Sequence, residues 1–174
     1  MTTSLKFATT TSLQDVLDSR ADLRRHLYVQ GFLFTSAQLD PLADQYPFYS
    51  NWTKKAIGPY ALWCHNRQQV HLVTHGDVTV FMVGHAYDPF NMSSDEDEIL
   101  ARVAAGLEGS TDQGLAVINA LTGVFFVGWL VDGELRFMLD ASGMQYACYG
   151  VIDGKLYITS HMQLVGDICG LDQD

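Results

Sequence analysis

Apolar and polar positions are most sharply ordered between Leu121 and Gly170, which reads LTGVFFVGWLVDGELRFMLDASGMQYACYGVIDGKLYITSHMQLVGDICG. Asp132-Gly133 and Asp153-Gly154 separate apolar runs of strand length, and both dipeptides accept the positive φ of a two-residue hairpin turn. The stretch predicts three tightly punctuated strand pairs running into a helix opened by Ser160. That helix carries Met162, Leu164, Val165 and Ile168 and stops at Gly170.

Earlier in the chain, Leu13, Val16, Leu17, Ala21 and Leu27 recur at helical spacing, with Ser12 and Asp15 placed like a capping box. This predicts an amphipathic helix over Thr11 to Tyr28. Gly31 to Thr35 follows as a short strand. From Ser36 to about Gly58 the sequence reads as a loop rich in Asp, Pro, Tyr and Asn, long enough to be functional or to carry a packed aromatic lid. Its aromatics, Tyr46, Phe48, Tyr49 and Trp52, read first as side chains pinning the loop to the core, with a ligand pocket as the alternative. From Tyr60 the runs YALWCH, VHLVTH and VTVFMVG predict an antiparallel meander. Ser94 then starts a helix with Ile99, Leu100, Val103, Ala104 and Leu107 on its inner face, and Asp95 to Glu98 in its first turn complement the helix dipole. Thr111 caps a further helix reaching Leu121.

The sum is an α+β chain of antiparallel strands with two helices between the strand groups and one at each end, suited to sheets that share a core and carry helices outside it. At 174 residues and 48% hydrophobic, the chain can form one substantial core, and no shift in composition divides residues 1–174 into two domains. Its formal charge of −10 repels phosphate backbones and anionic lipid, so neither nucleic acid nor membrane is an expected partner. No apolar run reaches bilayer length and MTTSLKFATT lacks a secretory layout, which makes the cytoplasm the expected compartment. Cys64, Cys148 and Cys169 have no metal-type spacing and read as buried free thiols.

Four histidines, His65, His71, His75 and His85, raise the question of a metal. His71 and His75 would share a strand face but stand about 13 Å apart, too far for one ion. They read as solvent-face residues of a meander, so no metal and no cofactor is expected. GxSxG, HExxH, CxxC, Rossmann and Walker patterns do not occur.

The blocks GHAYDPFN, SDEDEIL, LTGVFFVGWLVD, LDASGMQYACYG and KLYITSHMQLV, in that order, resemble the glutamine amidotransferase domain of glutamine-hydrolysing asparagine synthases. The corresponding segments of that family look like GEIYN, SDTEVIL, LNGMFAFALWD, RDxxGxxPLYY and LYFASExKAL. The resemblance covers about Gly84 to Gly170. It implies an N-terminal-nucleophile-hydrolase-like fold, a four-layer αββα sandwich of two antiparallel sheets. It also implies a synthetase domain as partner, in the same or another chain; no SGGxDS motif for ATP is present here. Residues 1–30 become an N-terminal helical extension.

Glutaminases of the family use a cysteine directly after the initiator methionine, whose own α-amino group relays the proton. Here that position is Thr2. Threonine with a free amine is chemically competent, but some thirty residues separate Thr2 from the strand Gly31 to Thr35 that resembles the family's opening strand. By the same resemblance, the substrate-binding positions are Gly84, Tyr87 and Asp88 of GHAYDPFN, Asp95 as carboxylate for the substrate α-ammonium, and Arg67 for the arginine loop. Asp88 stands where the family has the asparagine of an oxyanion hole, and a carboxylate there repels negative charge. Pro89 replaces a glycine and offers no N–H; Leu139 replaces an arginine, while Asp140 and Gly143 keep their places. The resemblance therefore implies a degenerate amidotransferase-like domain without glutaminase activity, serving a synthetase domain structurally or as a regulator. The alternatives are an active glutamine amidotransferase supplying ammonia for asparagine synthesis, and a module binding an amino-acid or other small ligand.

Overall fold

The structure, a computed structural model, describes residues 13–39 and 51–171. Its opening helical segment is broken. Helix α1 spans Leu13–Ser19, where the Ser19 hydroxyl turns back onto the Val16 carbonyl, and a 3₁₀ helix follows over Ala21–His26. Positive φ at Tyr28 and Gln30 then turns the chain into strand β1, Phe32–Thr35.

Part of the expected loop is a strand. β2, Trp52–Ile57, pairs antiparallel with β3, Tyr60–His65, and exposes Thr53 to Ala56 between buried ends. A lysine-bearing strand paired along one side has little apolar alternation, which is why WTKKAI does not announce itself. Trp52 is buried there; Tyr46, Phe48 and Tyr49 lie outside the described residues.

The expected single meander is divided between two sheets. β3 belongs to one sheet, whereas β4, Val70–His75, and β5, Val78–Tyr87, belong to the other. Helices α2, Glu96–Gly109, and α3, Thr111–Asn119, come next, capped by Asp95 and Ser110 rather than by Ser94 and Thr111. Strands β6, Thr122–Val131, and β7, Glu134–Leu139, form one hairpin, and β8, Cys148–Ile152, and β9, Lys155–Thr159, a second. Asp132-Gly133 and Asp153-Gly154 all have positive φ, as their turns require. A third pair does not form, because between Leu139 and Cys148 the chain changes sheets. Helix α4, Met162–Cys169, ends at Gly170 in the left-handed conformation. Ser160 does not cap it; its hydroxyl accepts from the Phe32 N–H and ties the helix entry to β1.

The strand orders are β2-β3-β1-β9-β8 and β4-β5-β6-β7, and all pairings are antiparallel. Strand alternation distributes side chains among three cores. Phe32, Phe34, Leu62 and Ile158 of the first sheet meet Phe81, Val83 and Phe126 of the second. On its other face the second sheet packs Val80, Met82 and Val127 against Ile99, Leu100, Val103 and Ala104 of α2. On the other face of the first sheet, Leu33, Trp63 and Tyr157 pack against Leu164 and Val165 of α4. The molecule is thus mixed α+β with two antiparallel sheets, an arrangement compatible with a sandwich. No helix among the described residues is long and apolar enough to cross a membrane.

Candidate functional site

Twice the chain passes from one sheet to the other, at 66–69 between β3 and β4 and at 140–147 between β7 and β8. Both crossings border a cavity of about 430 Å³ lined by Gln30, Arg67, Gln68, Gln69, Gly84, His85, Val124 and Gln145. Gln30 enters it from the chain just before β1, and Gly84 and His85 from β5. The site is therefore built at one end of the paired sheets, where loops are free to carry polar side chains over a rigid base.

Backbone hydrogen bonds fix the first crossing. His65 N donates to Gly31 O (3.0 Å), Gln68 N to His65 O (2.8 Å) and Gly84 N to Gln69 O (3.0 Å), so the turn is tied to β1 on one side and β5 on the other. Inside the turn, Arg67 N donates to His65 Nδ1 at 3.1 Å. His65 is buried, contrary to its expected place on a solvent face. Burial first, and the Arg67 charge second, lower its pKa, so the ring stays neutral and accepts. With the Gln68 amide oriented to satisfy both neighbours, its nitrogen donates to Gln30 O and its oxygen accepts from Gly84 N at 3.2 Å.

Gly84 has to be glycine. Its φ is +102°, and a Cβ would lie 2.2 Å from Val124 O on the paired strand. Its N–H is already engaged by Gln69 and is not presented to the cavity as a donor for developing negative charge.

The second crossing is organised by Asp140. This buried carboxylate accepts from Ser142 N (3.0 Å), Met144 N (3.2 Å), Gln145 N (2.9 Å) and the Ser142 hydroxyl, with Phe125 N at 3.4 Å. Burial alone would raise its pKa, but the Ser142 hydroxyl and the three loop N–H groups outweigh it and hold the group at about 2. By folding 140–145 around itself, Asp140 sets Gln145 against the cavity.

Of the residues expected at the site, Gly84 and Arg67 meet in this cavity. Asp88 is four residues from Gly84 along the strand direction, about 13 Å away. Its buried carboxylate accepts from Phe90 N, Asn91 N, Asn91 Nδ2 and Arg102 Nη2 at 2.8–3.1 Å, and Asp88 and Ser93 exchange backbone bonds. The Asn91 side-chain amide chiefly, then the loop N–H groups and Arg102, lower its pKa against the effect of burial. Asp88 is a loop staple with its lone pairs occupied. Tyr87 is exposed beside it. Asp95 accepts from Glu98 N at 3.1 Å as the cap of α2. Thr2 lies outside the described residues.

The other histidines have local partners. His71 Nδ1 lies 3.0 Å from Asp97 and His75 Nδ1 3.0 Å from Glu108, while exposed His85 lines the cavity. Among the described residues no three His, Cys, Asp or Glu side chains converge as a metal site. Cys64 is buried in β3, its thiol pushed up to about 12 chiefly by burial, whereas Cys148 and Cys169 are only half-buried.

Gln30, Gln68, Gln69 and Gln145 were not foreseen as lining residues. One signal lay in the change from YALWC, apolar at every position and so buried on both faces, to the alternating VHLVTH. That change marks the Arg67-Gln68-Gln69 turn as a passage between different environments. No known protein family model and no curated protein matches the sequence.

Proposed function

We propose that this chain is a degenerate glutamine-amidotransferase-like domain of the N-terminal-nucleophile type, without glutaminase activity, serving a synthetase domain as a structural or regulatory element. Two antiparallel sheets sharing one core, with helices packed on their outer faces, are the arrangement the resemblance implies and support the reading. The observation that carries it is the chemistry of the cavity. Its described lining has an arginine, a histidine and four glutamines, groups suited to holding a polar ligand.

What the cavity retains is recognition. Arg67 offers a guanidinium suited to a carboxylate, and the glutamine side chains both donate and accept, which favours a small polar ligand such as an amino acid. Purified protein incubated with glutamine should release no ammonia above the blank, beside a conventional cysteine-dependent amidotransferase as control. Glutamine or glutamate should nevertheless raise the melting temperature through binding to the native state, and Arg67→Ala should remove that rise. Ammonia release above the blank would overturn the proposal.

A further inference from the structure

Among the described residues each sheet has two outer strands, and three of the four carry side chains that discourage further pairing. β2 exposes Lys54 and Lys55; β7 carries Glu134 and Arg136; β4 carries His71 and His75, drawn onto acidic residues of α2. Lysine and other charged side chains are how natural sheets protect an edge, and the β4 histidines are instead held against carboxylates at 3.0 Å. β8, with the sequence CYGVI, has neither a charged residue nor a proline, and among the described residues it pairs only with β9.

The surroundings of β8 are apolar on both sides. Tyr149 and Val151 are 73% and 69% exposed on one face, and Met162 and Leu171 are 62% and 51% exposed on the other. Between β8, β9 and α4 lies a trough of about 460 Å³ lined by Cys148, Gly150, Tyr157, Met162, Val165 and Gly166. Two glycines line it. A Cβ at Gly150 or Gly166 would meet nothing within 4 Å.

We infer that β8 is the dimerisation edge of this protein and that its occupant is β8 of a second copy. An antiparallel strand edge is complementary to itself under a twofold axis, an isologous contact. An axis through Gly150 pairs Cys148 of each copy with Ile152 of the other and joins two five-stranded sheets into one of ten. Tyr149 of each copy then lies beside Val151 of the other, and the two troughs abut where Gly150 leaves room for apolar side chains. Two chains of charge −10 repel in general, and an uncharged edge is where they approach at least cost. With Tyr146, the exposed side chains offer roughly 600 Å² per copy, counting an aromatic at about 200 Å². The strand edge adds to this, approaching the ~800 Å² per partner of a standard stable interface.

Sedimentation equilibrium of the full chain at micromolar concentration should give twice the chain mass. Val151→Lys, at an exposed position, should keep the wild-type circular dichroism and weaken the dimer by roughly a hundredfold, because a lysine then replaces the apolar neighbour of the other copy's Tyr149 and the two lysines stand diagonally about 7–8 Å apart across the axis. Gly150→Cys in a Cys148→Ser, Cys169→Ser background should form an intermolecular disulfide under mild oxidation, since the axis sets position 150 opposite itself. A wild-type monomer at high micromolar concentration overturns the inference. So does a dimer that Val151→Lys leaves intact, which would place the contact on another face.

Discussion

At the scale of single residues, three aspartates of the resembling segment do different physical work, and their partners tell them apart. Asp88 and Asp140 are buried and saturated with donors; Asp95 is exposed and spends one oxygen on a helix end. Asp140 has the clearest consequence for stability. Its ordinary pKa of 3.8 falls to about 2 in the folded protein, so in acid the unfolded chain takes up the proton first. The stability it contributes is complete above the ordinary value and is lost as pH falls through 3.8 toward about 2. Asp140→Asn keeps the shape but gives up the charge-assisted bonds. It should lower stability at pH 7 by about 2 kcal/mol, with a shallower loss between pH 4 and pH 2 than wild type. Urea unfolding across that range checks both, and equal acid slopes for the two proteins would remove Asp140 from the account.

At the scale of elements, Asp95 separates a local role from a ligand role. Helix α2 begins with Asp95 accepting from Glu98 N and has Glu96, Asp97 and Glu98 in its first turn, a complete helix start. Asp95→Ala should cost about 1 kcal/mol and leave unchanged the amino-acid binding proposed for the Arg67 cavity. A binding defect without loss of stability would return Asp95 to the ligand. The same helix shows why much of the fold was legible. Its inner face, Ile99, Leu100, Val103, Ala104 and Leu107, is fixed by a 3.6-residue period that burial then follows residue for residue. The Asp-Gly hairpins were legible for a related reason, since both turns need positive φ and those residues supply it. β2 was not, because WTKKAI exposes its middle and takes its place from pairing with β3. Nor was the division of the meander, since strand periodicity describes a strand's faces and not which sheet it joins. The cavity inherits that blindness: Gln30, Gln68, Gln69 and Gln145 are brought beside Arg67 and Gly84, which only the resemblance had grouped, by two sheet crossings far apart in sequence.

At the scale of the molecule, the three cores share their strands, so neither sheet has a face to itself. β1 gives Phe32 and Phe34 to the core between the sheets and Leu33 to the core beneath α4; β6 gives Phe126 to the shared core and Val127 and Trp129 to the core beneath α2. Phe126 is the hinge of this arrangement, fully buried, stacked on Phe32 of the opposite sheet at 5.1 Å and in ring contact with Phe81 and Phe137 of its own. Phe126→Ala should cost about 3–5 kcal/mol, as truncation of a large buried aromatic does. The loss should fall on the whole molecule at once. Trp63 reports on the core beneath α4 and Trp129 on the core beneath α2. In variants keeping only Trp63 or only Trp129 as the single tryptophan, fluorescence and far-ultraviolet circular dichroism should therefore give one shared urea midpoint, and Phe126→Ala should lower that midpoint in both. Two separated midpoints would mean that each sheet and its helices melt independently. The cavity would then span two units rather than sit on one, because its walls are the chain segments that cross between the sheets.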